Sequence, residues 1–172
     1  MKTNTPLIAL MGNPNSGKTA IFNLLTGMNQ KVSNYPGITV EKRKGTTLLA
    51  QNTQAEILDM PGTYSLTPES LDEKIVAQQV LEWIHGEEKP AAIISVVDGG
   101  NLSRNLYLTS QILDLNIPVI VALNMMDRVK RKNQDIDCQA LKKMLGAAAV
   151  VPMSAREKWG IDELQQELTL IV

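Results

Sequence analysis

The chain has 172 residues, 44% of them apolar and 20% charged, with a formal net charge of −1. That balance fits one soluble domain burying roughly 70% of the surface of its unfolded chain, and it excludes a broadly basic nucleic-acid surface. A lone Cys138 excludes an internal disulfide, and the longest apolar runs fall far short of the ~20 residues that cross a bilayer.

The amino-terminal MKTNTP lacks the apolar stretch of a signal peptide. LIALM (7–11) is a short continuous apolar run, the pattern of a strand buried on both faces. GNPNSGKT (12–19) follows, then a helix whose face carries Ile21, Leu24 and Leu25 and which Gly27 can stop. VEKRKGTTLLAQ (40–51) and TQAEILD (53–59) are strand-like and separated by a tight turn at Asn52, so they predict an antiparallel hairpin. Ser70 and Glu73 have capping-box spacing ahead of Ile75, Val76, Val80 and Ile84, and His85 follows at the helix end, placed to meet its last carbonyls.

Alternation then takes over. AAIISVV (91–97) is a buried strand, Leu102, Leu106, Thr109 and Leu113 line a helix, and IPVIVAL (117–123) is the next strand. RVKRK (128–132) reads as a solvated loop or helix face. Asp137 can cap a helix ending at Gly146, AAAVV (147–151) is a further strand, and Ile161, Leu164, Leu168 and Ile171 mark a last helix. The sum predicts a single α/β domain over residues 1–172. It is doubly wound, with six mostly parallel strands, one antiparallel strand among them, and five helices.

The strand–GxxxxGK[ST]–helix context of residues 7–26 predicts a phosphate-binding loop. Gly12 and Gly17 let backbone N–H groups converge on a β-phosphate, with Asn13, Pro14, Asn15 and Ser16 forming the loop between them. Lys18 is suited to neutralise β/γ oxygens, and the Thr19 hydroxyl to ligate Mg²⁺. LNMMD (123–127) ends a buried strand where doubly wound sheets take ligands, bringing in Asn124, Met125 and Asp127. A carboxylate at Asp127 can accept from both N1–H and the 2-amino group of guanine, a donor pair that adenine lacks. SAREKWG (154–160) adds Ser154 and an amide near Ala155 that can meet guanine O6. In LDMPG (58–62), Asp59 can hold Mg²⁺ through a water, and the Gly62 N–H can meet a γ-phosphate.

GNPNSGKTAIFNLLTG, VSNYPGITVE, LDMPGTYSLTP and VVDGGNLSRNLYLTSQILDLNIPVIVALNMMD together resemble the N-terminal cytoplasmic G domain of the ferrous iron transporter B (FeoB) family. The resemblance covers nearly the whole chain. It implies a small-GTPase-like P-loop fold, a first switch over 30–40 with Thr39 on Mg²⁺, and a second over 59–72. It also implies a slow GTPase that switches between GTP and GDP and regulates ferrous iron uptake by a bacterial membrane transporter. K⁺ would be held by Asn15 and by the backbone carbonyls of Ser33 and Tyr35, stimulating hydrolysis; Lys18, Thr39, Gly62 and Asn15 are its catalytic set. The family carries Trp where Tyr35 stands and Gly where Ser33 stands. Its members continue into a helical regulatory domain and a membrane region absent from this chain. The chain is therefore expected to be the soluble cytoplasmic domain of an inner-membrane protein, with guanine nucleotide and the rest of the transporter as its partners.

Two other readings stay open. Thr63 follows DxxG where Ras-like proteins have a water-orienting Gln, which suits a nucleotide-dependent binding module without useful turnover. A ribosome-assembly GTPase shares Asn15 and the missing Gln.

Overall fold

The computed structural model describes residues 5–27, 29–86 and 88–172, with only the backbone at Gln51. Most of MKTNTP lies outside the described residues. The element order is β1 (Leu7–Gly12), α1 (Lys18–Thr26), β2 (Gln30–Asn34), β3 (Glu41–Leu48), β4 (Gln54–Asp59), α2 (Leu71–Ile84) and β5 (Ala92–Asp98). It continues with α3 (Leu102–Leu113), β6 (Val119–Asn124), α4 (Met126–Arg131), α5 (Cys138–Leu145), β7 (Ala149–Pro152) and α6 (Ile161–Ile171). Short 3₁₀ turns occupy Ala50–Asn52 and Gly99–Asn101.

The strands form one sheet in the order β2-β3-β4-β1-β5-β6-β7. β1 is parallel to β4 on one side and to β5 on the other, and β6 and β7 extend the parallel half. Only β3 runs against the rest, antiparallel to both β2 and β4. The expected hairpin is therefore present. The strand order reverses at β1, so the crevice beyond its carboxyl end, beside β4 and β5, is where such a sheet takes a ligand.

Alternation along β1 divides the core. Ile8 and Leu10 face α1 and α6 in a cluster with Phe22, Ile94, Ile120, Leu164 and Leu168. Ala9 and Met11 face α2 and α3 with Val76, Trp83, Leu108 and Ile112. A third cluster around Val121, Leu123, Met126, Val129 and Leu141 seats α4 and α5. Strands buried on both faces have no polar alternation, which is why they read as continuous apolar runs.

Seven strands and six helices stand among the described residues, one more of each than the sequence predicts. The extra strand, β2, reads QKVSN, and its one apolar residue, Val32, is 58% exposed. This edge strand is held by backbone pairing from Gln30↔Gly45 to Asn34↔Glu41, which hydrophobic patterning cannot reveal. The extra helix, α4, is six residues long and buries Met126, Asp127 and Val129 while Arg128, Lys130 and Arg131 are exposed.

Helix ends follow their predicted chemistry. Ser70 and Glu73 complete the capping box, Asp137 caps α5 through the Ala140 N–H, and Gly146 ends α5 in the left-handed region. His85 Nδ1 lies 2.7 Å from the Leu81 carbonyl. No described helix is long and apolar enough to cross a membrane.

Candidate nucleotide site

The phosphate loop leaves β1 at Gly12 and enters α1 at Lys18. Gly17 caps α1 at φ +91°, and a β-carbon there would overlap Asn124 Nδ2. At Gly12 a β-carbon would lie 2.9 Å from both Ser16 Oγ and the Val96 carbonyl. Both glycines are thus required by close approach, the first also by conformation.

Asn124, at the end of β6, accounts for that approach. Its Nδ2 donates to the Ser16 carbonyl at 3.0 Å, and its Oδ1 accepts from the Ala155 N–H at 2.9 Å. The side chain is buried and uses one donor and one acceptor to tie the phosphate loop to the 154–160 loop. Sequence reasoning placed Asn124 at the base; the structure gives it this tie, whose only sequence signal is its position after a buried strand.

Asp127 is buried at the start of α4, behind Met125 at φ +61°. Its Oδ1 accepts from Ser154 Oγ at 2.9 Å, and its Oδ2 from Arg131 Nη2 at 3.1 Å. A carboxylate has about four lone-pair positions, so each oxygen keeps one for a further donor. Ser154, fully buried, also accepts from the Glu157 N–H at 3.2 Å, which shapes the turn carrying Ala155. Arg131 reaches Glu157 as well, at 3.0 Å. No local pattern pairs Ser154 or Arg131 with Asp127; the structure makes them its supports.

At the other end of the site, Lys18 Nζ forms an ion pair with Asp59 Oδ1. Both belong to one hollow of about 450 Å³, shared with Thr39, Pro61 and Gly62. Thr19 and Thr39 are exposed. The two hydroxyls and the buried Asp59 carboxylate are oxygen ligands of the kind that Mg²⁺ prefers, and the Lys18 ammonium can neutralise phosphate oxygens.

The 59–66 segment lies on the phosphate loop. Met60 N–H donates to the Leu10 carbonyl at 3.0 Å and Thr63 N–H to the Gly12 carbonyl at 3.2 Å. A β-carbon at Gly62 would sit 3.3 Å from Pro14. Thr63 is buried, its hydroxyl 2.7 Å from the Ser65 carbonyl and 3.2 Å from Glu73 Oε1. Glu73 also accepts from the Glu69 and Ser70 N–H groups, and these bonds, Glu69 foremost, hold its carboxyl below the ordinary value of 4.5.

Asn15 is exposed at φ +63°, and its amide bonds no backbone group among the described residues. It lines a hollow of about 150 Å³ with Asn13, Tyr64 and Arg104. Ser33 and Tyr35 lie elsewhere. Ser33 pairs with Lys42 across β2 and β3, and the Tyr35 carbonyl accepts from the Ile38 N–H at 3.2 Å. The Tyr35 ring is buried, its hydroxyl 3.8 Å from Met60 Sδ, with the Lys42 ammonium 5.4 Å from its centroid. Burial, with a smaller effect from the Asp59 carboxylate, pushes its phenol up to about 12. Of the three K⁺ ligands implied by resemblance, Asn15 and Tyr35 thus line different hollows, and Ser33 sits on the edge strand β2.

Comparison with known proteins adds three findings. The family model described as ferrous iron transport protein B matches residues 6–168. The Fe(2+) transporter FeoB of Legionella pneumophila (strain Paris) is 47% identical over 163 residues, covering 92% of this chain and 21% of that protein. Among solved structures, a mutant NFeoB of S. thermophilus bound to GDP has a TM-score of 0.88 at 41% identity, covering 98% of this chain and 63% of that one. The cytosolic domain of T. maritima FeoB in a GMPPNP form has a TM-score of 0.88 at 37% identity, covering 96% and 63%. The chain spans about a fifth of the curated relative's length.

Proposed function

The chain belongs to the ferrous iron transport protein B family, and on that premise we propose that it is a guanine-nucleotide switch that binds GTP and hydrolyses it slowly to GDP and phosphate. The bonding of Asn124 carries the reading. One buried amide fixes the phosphate loop at Ser16 and the Ala155 amide together, so the Asp127 carboxylate and the loop act on one nucleotide. The Asp127 oxygens accept from guanine N1–H and its 2-amino group, and the Ala155 N–H turns to O6. Charge-assisted bonds contribute about 1.5–3 kcal/mol each, which separates guanine from adenine.

At the phosphate end, the backbone N–H groups of Asn15, Gly17 and Lys18 cradle the β-phosphate at the α1 N-terminus. Lys18 neutralises β/γ oxygens, the Asp59 contact keeping its ammonium at the mouth of the loop. Thr19, Thr39 and, through a water, Asp59 would hold Mg²⁺, which would supply charge neutralisation at the phosphates. The Gly62 N–H meets the γ-phosphate, so its presence orders residues 59–72 and closes residues 30–40. Closure of the first switch lifts Tyr35 from beside Met60, frees its carbonyl from Ile38, and brings it with Ser33 to Asn15. The three oxygens would then hold K⁺, whose charge would stimulate hydrolysis.

In the whole protein this switch regulates ferrous iron uptake through the membrane portion. The domain stands on the cytoplasmic side, with the rest of the transporter as its partner. One observation favours a second reading, occupancy signalling without useful turnover: the Thr63 hydroxyl is engaged by Ser65 and Glu73 and orients no water. Calorimetry with GDP, ADP and xanthosine diphosphate tests the binding step. Tight GDP binding with ADP at least a hundredfold weaker is expected; equal affinities would remove Asp127 from a base pocket.

A further inference from the structure

We infer that α3 holds the opening of the second switch in register with the phosphate loop, with Arg104 and Gln111 as positioning residues for hydrolysis. The inference rests on the hydrolytic reading above.

Residues 60–70 contain no strand and no helix, so their placement depends on tethers. Glu73 and the phosphate loop hold Thr63. Beyond it the tethers come from α3. The Arg104 guanidinium lies 4.4 Å from the centroid of the Tyr64 ring. Gln111 Oε1 accepts from the Leu66 N–H at 2.8 Å. The Leu66 side chain packs into the cluster that α2 and α3 share. Arg104 and Gln111 are seven residues apart, two helical turns, and so share one face.

That helix is itself keyed to the catalytic end of the sheet. Asn105 Oδ1 accepts from the Asp98 N–H at 3.2 Å, and Thr109 Oγ1 lies 3.0 Å from Ser95 Oγ on β5. Asn13 Nδ2 donates to the Arg104 carbonyl at 3.4 Å, joining the helix to the phosphate loop. A continuous path therefore runs from loop to helix to residues 64–66.

The path matters because Thr63 offers no side chain to the attacking water. Backbone at Gly62 must serve, and a misplacement of about 1 Å far from the chemistry can cost on the order of 10²-fold in rate. Gly62 is fixed on one side by the Met60 bond to Leu10 and on the other by Thr63 and the α3 tethers. Cation–π contacts at exposed sites contribute enough to alter a rate by roughly three- to fivefold.

The test uses multiple-turnover phosphate release, GDP affinity and amide hydrogen exchange on the wild type and on Arg104→Ala, Arg104→Lys, Tyr64→Ala, Tyr64→Phe and Gln111→Leu. Arg104→Ala and Tyr64→Ala should each lower kcat roughly three- to fivefold, with GDP affinity within about twofold of wild type. The double variant should lose no more than either single one. Tyr64→Phe, which keeps the ring, should restore the rate, and Arg104→Lys should recover part of it. Gln111→Leu should speed exchange at the Leu66 amide and lower kcat. Unchanged kcat in Tyr64→Ala, additive losses in the double variant, or losses matched in GDP affinity would overturn the inference while wild-type turnover stands. Absence of wild-type turnover would overturn the hydrolytic reading, and this inference with it.

Discussion

Replacing Asn124 by alanine tests how the site is assembled. The change removes two buried bonds, to the Ser16 carbonyl at 3.0 Å and from the Ala155 N–H at 2.9 Å. It also leaves both backbone partners without their bond and opens a space against Gly17. A buried group left unsatisfied costs about 1–3 kcal/mol, so the pair gives roughly 2–6 kcal/mol before relaxation or water entry. Part of that loss falls on folding. The rest falls on affinity, because nucleotide binding must then order a loop that Asn124 had held in place. GDP affinity by calorimetry should fall at least tenfold, and the urea midpoint should drop with an unchanged slope. Asn124→Asp separates the two bonds: it keeps an acceptor for Ala155 but sets a carboxylate against the Ser16 carbonyl, and it should be no better than alanine. An Asn124→Ala protein with wild-type GDP affinity and midpoint would refute the reasoning.

Asp127→Asn should weaken GTP and favour xanthosine triphosphate, because an amide can donate to the 2-oxo group; competition binding reads the exchange, and unchanged preference would exclude the carboxylate from the base. Asn15→Ala should abolish a faster GTPase rate in KCl than in NaCl at equal ionic strength while GDP affinity stays within about threefold, since charge developing between phosphates is what a cation there offsets. Equal wild-type rates in the two salts would leave Asn15 a turn residue. Glu73, with its carboxyl held below 4.5, adds stability that is full above that value and fades as pH falls through the lower folded value. Glu73→Gln should therefore lower the melting temperature at neutral pH and flatten its fall in acid; parallel wild-type and variant curves would contradict this assignment.

Residues that act by pattern were legible in the sequence, and residues that act by pairing were not. Ile8 to Met11, Ile93 to Val97 and Val119 to Leu123 announce two-faced burial by apolar runs interrupted only at Ser95, and the Ser70–Glu73 spacing announces its own cap. GxxxxGKT and the Asn124–Asp127 spacing locate the two ends of the site for the same reason, because local backbone geometry demands them. β2 escaped because Val32 is exposed and the strand depends on β3. The supports of Asp127 escaped because Ser154 lies 27 residues away and meets it only after β7 has paired with β6. Arg104 escaped for a related reason: it lies 40 residues from Tyr64, and only the fold lays α3 beside that ring.

The proposed switch reads guanine and passes between two nucleotide states joined by hydrolysis. Multiple-turnover phosphate release from GTP and from ATP, with Mg²⁺ and K⁺ present, tests it most directly. The account predicts several phosphates per chain from GTP, none above background from ATP, and loss of GTP turnover in Thr39→Ala with GDP binding retained. Equal release from the two triphosphates, or no more than one phosphate per chain from GTP, would contradict it.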